Sequence, residues 1–199
     1  MRTALLVIDV QNDFCPGGAL AVTDGDAVVA AANALMPRFD VVVATRDWHP
    51  PDHCSFASRH PGAALYDTVD VGGVAQTLWP DHCVQGSDGA ALHPRLSQRA
   101  VDLILHKGAR RDLDSYSAFF ENDRRTSTGL AGYLRELEVR EVTLCGLATD
   151  YCVRWSALDA ARLGFEVRVV GDACRGVNVP DGNVARALEQ MRGAGISIE

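Results

Sequence analysis

The chain has 199 residues, 47% of them hydrophobic and 23% charged, with a formal net charge of -7. That length suits one domain, residues 1–199, with a sizeable core, and the composition is that of an ordinary globular protein. No basic run or patch occurs, so a nucleic-acid or anionic-membrane partner is not expected. No stretch approaches the ~20 apolar residues of a membrane span. The opening MRTALLVIDV is too short in apolar residues for a signal peptide, so no targeting segment is expected. The cysteines (Cys15, Cys54, Cys83, Cys145, Cys152 and Cys174) form no C-x-x-C pair. Scattered thiols of this kind fit a cytoplasmic chain with reduced cysteines.

The first predicted strand is TALLVID (3–9), followed by a helix over 25–36 and a strand DVVVAT (40–45). The stretch 46–100 breaks this rhythm. It is rich in Pro, Gly, His and Asp, and so long a loop in a compact domain is usually functional. Next come a strand VDLILHK (101–107), a helix over 128–138 and a strand EVTLCG (141–146). A helix over 151–163 follows, with Gly164 at its C-terminal cap. The chain closes with a strand EVRVVGD (166–172), a helix over 181–193 capped at Gly193, and a strand ISI (196–198). These strands are nearly all apolar, as strands buried on both faces of a parallel sheet must be. The alternation predicts a three-layer α/β fold, an open Rossmann-like parallel sheet of about six strands with helices on both faces. The polar stretch RRDLDSYSAFFEND after Lys107 reads as a flexible rim.

Open α/β sheets bind ligands outside the carboxyl ends of their strands. The polar residues at those ends are Asp9, then Asp47 and His49, then Lys107, then Cys152 at a helix start. A helix N-terminus and a nearby lysine both lower a thiol pKa, which favours the nucleophilic thiolate. Asp9 could accept the thiol proton and return it to a leaving group, and free backbone N–H groups at the turn could hold an oxyanion. Each residue also has a bland reading. A free cysteine is usually a small buried hydrophobe, a strand-end aspartate often caps a turn, and a lysine can mark the solvent edge. Convergence on one sheet edge is what favours chemistry. A second set lies in DWHPPDH (47–53) and WPDHC (79–83). Asp47 and His49 are two apart, so they face the same way in an extended segment, and His82 could close a site. These donors suit Zn²⁺, Mn²⁺ or Fe²⁺, with His53 as a further ligand. His60 and His93 read as loop residues, and His106 as packing within a strand. Phe14, Trp79 and Tyr116 are either core aromatics or the walls of a flat pocket.

Five blocks carry a resemblance. VIDVQNDFCPGGAL (7–20), VATRDWHPPDHCSFAS (43–58), WPDHCVQGSDGAALHP (79–94), HKGARRDLDSYSAF (106–119) and GLATDYCVRWSALDAARLGF (146–165) resemble the nicotinamidases of the isochorismatase-like cysteine hydrolases. They span nearly the whole chain in the family's order. The resemblance implies hydrolysis of a small-molecule amide, nicotinamide, to nicotinate and ammonia, and pyrazinamide as a second substrate. It makes Cys152 the nucleophile that forms a thioester, Asp9 the general base and then acid, and Lys107 the group between them. It places the oxyanion on the N–H groups of Ala148 and Cys152, after a cis Leu147–Ala148 peptide. It implies a divalent metal, Zn²⁺ or Fe²⁺/Mn²⁺, on Asp47, His49 and His82, with His53 a fourth ligand in some members. Phe14, Trp79, Tyr116 and Tyr151 would line the ring pocket. Family members occur as monomers and as larger assemblies, so a homo-oligomer is compatible. Sister amidases acting on carbamoyl or ureido substrates generally lack the D-x-H…H set, and isochorismatases lack the cysteine. A thiol redox protein would need a resolving C-x-x-C partner.

Overall fold

The computed structural model describes residues 2–199. The strands are β1 (Arg2–Ile8), β2 (Val41–Asp47), β3 (Thr68–Val71), β4 (Val74–Thr77), β5 (Leu103–Lys107), β6 (Val139–Leu147), β7 (Glu166–Arg175) and β8 (Ser197–Ile198). The helices are α1 (Val28–Leu35), α2 (Leu130–Glu136), α3 (Arg154–Arg162) and α4 (Asn183–Gly193). Six strands form one sheet in the order β5-β2-β1-β6-β7-β8, and every pairing in it is parallel. The predicted six-stranded sheet is therefore present. Among the described residues, no helix is long and apolar enough to cross a membrane.

The pleat of β1 sorts the core. Leu5 and Val7 pack on one face with Val28, Val29 and Ala32 of α1. Leu6 and Ile8 pack on the other with Leu130 and Leu134 of α2, Ala157 and Ala160 of α3, and Met191 of α4. Burying each such side chain stabilises by about 1.5–3 kcal/mol, so helices on both faces are the outcome of strands apolar on both sides. Gly164 takes the left-handed conformation after α3, at φ +87°, as the sequence implies. After α4 that role falls to Gly195, at φ +80°, while Gly193 is the last helical residue.

The stretch 46–100 is less irregular than its composition suggests. It contains an antiparallel hairpin, β3–β4, in which Val71 pairs with Val74 across Gly72 and Gly73. Both glycines have positive φ, as tight hairpin turns require. The expected rim after Lys107 is packed as well. Asp114, Ser115, Ser117, Ala118 and Phe119 are all buried.

Candidate active site

The sheet order brings the predicted strand ends together. β1 lies between β2 and β6, and β2 between β1 and β5. Asp47 is in direct register with Lys107, and Ile8 with Gly146, so Asp9 and the turn after β6 emerge side by side. Gly146 makes that approach possible. A Cβ at this position would lie 2.1 Å from the Ile8 carbonyl oxygen, and its φ of +116° also disfavours a side chain. Past Leu147 the chain passes through a cis Leu147–Ala148 peptide into a π-helical turn, Thr149–Val153, that carries Cys152 and runs into α3. Such turns recur at functional sites.

Lys107 is fully buried and links the three groups. Its Nζ lies 2.9 Å from Asp9 Oδ2 and 3.4 Å from Cys152 Sγ, contacts Asp47 Oδ1 closely, and donates to the Ser115 carbonyl at 2.9 Å. Burial alone would lower the lysine pKa, but Asp47 and Asp9 together raise it well above its ordinary value, so it is a fixed cation. Burial raises Asp9 to about 6 against the pull of Lys107. Burial also pushes the Cys152 thiol well above its ordinary pKa, against Lys107 and with the help of Asp9 and Asp47. The expected lowering of the thiol pKa is thus outweighed by desolvation, and the resting cysteine is a neutral thiol beside an ionisable carboxylate.

Next to this trio stand Asp47, His49 and His82, whose ligand atoms all lie within 4.8 Å of one another. His49 Nδ1 donates to the Gly108 carbonyl at 2.8 Å, and His82 Nδ1 to the Pro80 carbonyl at 2.7 Å. Both histidines therefore turn an Nε2 lone pair to the cluster, and His49 Nε2 is 3.8 Å from Asp47 Oδ2. Burial and the neighbouring His82 hold His49 neutral, its pKa well below the ordinary value. Two imidazoles whose Nδ1 atoms are committed to backbone carbonyls, together with a carboxylate, are a donor set that fits a divalent transition metal. Gly108 is required here too, since a Cβ would meet His49 Cε1 at 2.5 Å. His53 sits apart from this trio. It stacks on His49 at 4.1 Å, shares a hydrogen bond with Ser55 through Nδ1, and groups with His49 and Asp114 instead. Its buried Nε2 has no protein partner. His106 takes no part and stacks on Trp48 at 4.6 Å.

A cavity opens over both groups, lined by Cys152, Ala148, Asp47, His49 and His82 and walled by Phe14, Trp79, Tyr116 and Tyr151. Trp79 meets Tyr151 edge-on at 4.8 Å, and its Nε1 donates to the Tyr116 hydroxyl at 3.1 Å. The cavity lining is mainly apolar with a few polar groups, as in small-molecule sites. Several residues escaped the sequence reading. Leu20 and Val177 complete the wall, and Asp114 reaches it from the supposed rim. Gln11 clamps the end of β2, with Nε2 donating to the Asp47 carbonyl at 2.9 Å and Oε1 accepting from the Asp47 amide at 2.8 Å. Thr45 bonds Asp9. Thr45 lies two residues before Asp47 on the same strand face, a periodicity that could have found it.

The chain matches the Isochorismatase domain family over residues 3–198. It is 50% identical to a nicotinamidase of Escherichia coli over 199 residues, covering 98% of this chain and 93% of that protein. Among solved structures, an Acinetobacter baumanii nicotinamidase pyrazinamidase superposes with a TM-score of 0.96 at 45% identity, over 99% of this chain and 95% of that one. A Pyrococcus horikoshii pyrazinamidase in complex with zinc gives 0.81 at 39% identity, over 100% and 99%. The chain belongs to the isochorismatase domain family, in the branch that holds the nicotinamidases.

Proposed function

We propose that this protein hydrolyses nicotinamide to nicotinate and ammonia through a thioester on Cys152. One observation carries the reading: Lys107 bridges Asp9 and Cys152 beside an aromatic cavity that Asp47, His49 and His82 also line. The similarity to nicotinamidases over nearly the full length supports the choice of substrate. A ring amide would lie between Phe14, Trp79, Tyr116 and Tyr151, with its carboxamide toward Cys152. Asp47, His49 and His82 would hold a divalent ion, and the zinc in the similar pyrazinamidase supports that assignment. When bound, the ion supplies a Lewis acid for the lone pair of the ring nitrogen.

Asp9 takes the Cys152 proton as the sulfur attacks the amide carbon. Lys107 offsets the negative charge of the sulfur in a site where water does not. The oxyanion rests on the N–H groups of Ala148 and Cys152. Those of Tyr151 and Val153 are committed to the Ala148 carbonyl, at 3.0 and 3.1 Å. Asp9 then returns its proton to the departing nitrogen, ammonia leaves, and a thioester remains. A water deprotonated by Asp9 attacks the thioester, and the proton goes back to the sulfur as nicotinate leaves. A reactive thiol with five further free cysteines suits a reducing, cytoplasmic compartment.

Ammonia release from nicotinamide, before and after metal chelation, tests the reading. Release that chelation removes and Zn²⁺, Fe²⁺ or Mn²⁺ restores is expected. A metal-loaded protein that releases none would refute it and direct the search to carbamoyl and ureido amides.

A further inference from the structure

Thr45 neither lines the cavity nor belongs to the metal-ligand trio, yet it is fully buried and bonds Asp9 twice. Its Oγ1 accepts the Asp9 amide N–H at 3.1 Å and lies 2.6 Å from Asp9 Oδ1. An amide can only donate, so the hydroxyl receives there and its single proton points at Oδ1. The Asp9 backbone sits at φ +47°, in the left-handed region that few residues other than glycine adopt. The same hydroxyl therefore pins both the strained main chain and one carboxylate oxygen. Oδ2 faces Lys107 at 2.9 Å, and Lys107 also touches Cys152 Sγ.

We propose that Thr45 is a positioning residue that assigns the transferred proton to Oδ2 of Asp9, the oxygen that shares Lys107 with the nucleophile. The inference rests on the cysteine-hydrolase reading above. A proton on Oδ1 would have to be donated to the second lone pair of Thr45 Oγ1, which would turn the Thr45 hydroxyl proton away from Oδ1 and strand it in the core. Oδ2 keeps a second lone pair besides the one that faces Lys107, and it takes the proton from sulfur and delivers it to the leaving nitrogen. Thr45 thus removes a non-productive protonation state and fixes the carboxylate rotation.

Thr45→Val keeps the shape and deletes the hydroxyl, and Thr45→Ser keeps the hydroxyl. Five quantities are read on the metal-loaded proteins: kcat and KM for ammonia release from nicotinamide, the iodoacetamide alkylation rate at Cys152, metal content, and thermal midpoint. Thr45→Val is expected to lose about 10- to 100-fold in kcat, with KM within about twofold and full metal content. Alkylation, which needs only the first proton transfer, should slow in parallel. Thr45→Ser should recover to within about fivefold of wild type. A Thr45→Val kcat within twofold of an active wild type overturns the inference alone. So does a Thr45→Ser as impaired as Thr45→Val, or loss of metal from Thr45→Val. An inactive wild type overturns the hydrolase reading together with it. If Thr45→Val does not fold, Thr45→Ala against Thr45→Ser makes the same comparison.

Discussion

At Cys152 two electrostatic effects oppose each other. Desolvation favours the neutral thiol, and the Lys107 cation, 3.4 Å away, favours the thiolate. Desolvation is the larger, so the sulfur is poised for reaction by a base within reach and is not ionised in advance. Cys152→Ala should therefore leave a folded, metal-binding protein, because alanine fits the turn. Its ammonia release should fall below about 1% of wild type, since among the described residues no other cysteine, serine, threonine or lysine lines the cavity. Residual turnover above that level would exclude covalent catalysis by this cysteine. Lys107 has a structural share as well. Replacing it by methionine strands the Asp9 and Asp47 carboxylates in the core without a cation. Breaking a buried charge network in this way costs about 3–5 kcal/mol. Urea unfolding of Lys107→Met should show that loss, and an unchanged midpoint would mean that the lysine serves chemistry alone.

Elements meet closely where β1 and β6 run side by side, and Gly146 is the point of closest approach. Gly146→Ala would put a methyl group 2.1 Å from the Ile8 oxygen, a clash with backbone that no side-chain rotation relieves. A destabilisation of about 3 kcal/mol or more is expected by thermal unfolding, with activity lost through displacement of Asp9. The segment after β5 contributes a different kind of sensitivity. Glu121 is buried, its Oε2 has no hydrogen-bond partner, and burial raises its pKa to about 7 despite the pull of Lys107. Below about pH 4.5 this carboxyl is protonated in both folded and unfolded chains and costs nothing. Between there and pH 7 the unfolded chain ionises first, so stability falls as pH rises and the loss is complete above 7. Glu121→Gln should match wild type near pH 4 and exceed it by about 1–3 kcal/mol at pH 8, in urea titrations at each pH. An advantage that does not grow with pH would show that the carboxyl is solvated. These elements also show what a sequence reveals. The strands of the main sheet are plain in their apolar runs, and Asp9, Asp47, Lys107 and Cys152 stand out as polar residues at their ends. Gln11 and Asp114 are not plain, because each is defined by partners far along the chain, Asp47 and Ala90 for Gln11 and Gln76 for Asp114. Which strand neighbours which is set by packing and not by periodicity. The β3–β4 hairpin is hidden because its strands are four residues each, and only Gly72-Gly73 marks it.

On the scale of the molecule, the long segment between β2 and β5 is tied back to the fold at the site and also away from it, where the Asn33 side chain bonds the Arg95 carbonyl and the Ser97 amide. His49 donates its backbone N–H to the Cys83 carbonyl at 3.0 Å, and Asp13 accepts from the Cys83 amide at 2.7 Å. Gln76 of β4 donates to Asp114 at 2.9 Å, which ties the hairpin to the pocket wall. A divalent ion on Asp47, His49 and His82 would join the end of β2 to the loop bearing His82, so its binding and the folding of this segment should be coupled. A ligand present at 100 times its dissociation constant adds about 2.7 kcal/mol to stability, provided that the unfolded chain does not bind it. Chelation should therefore lower the thermal midpoint by several degrees, and added Zn²⁺ should restore it. The double variant Asp47→Ala with His82→Ala should melt at one temperature with or without chelator, while its Cys152 still reacts with iodoacetamide. A chelator shift that persists in the double variant would place the ion elsewhere, with His49, His53 and Asp114 as the next donor set to remove.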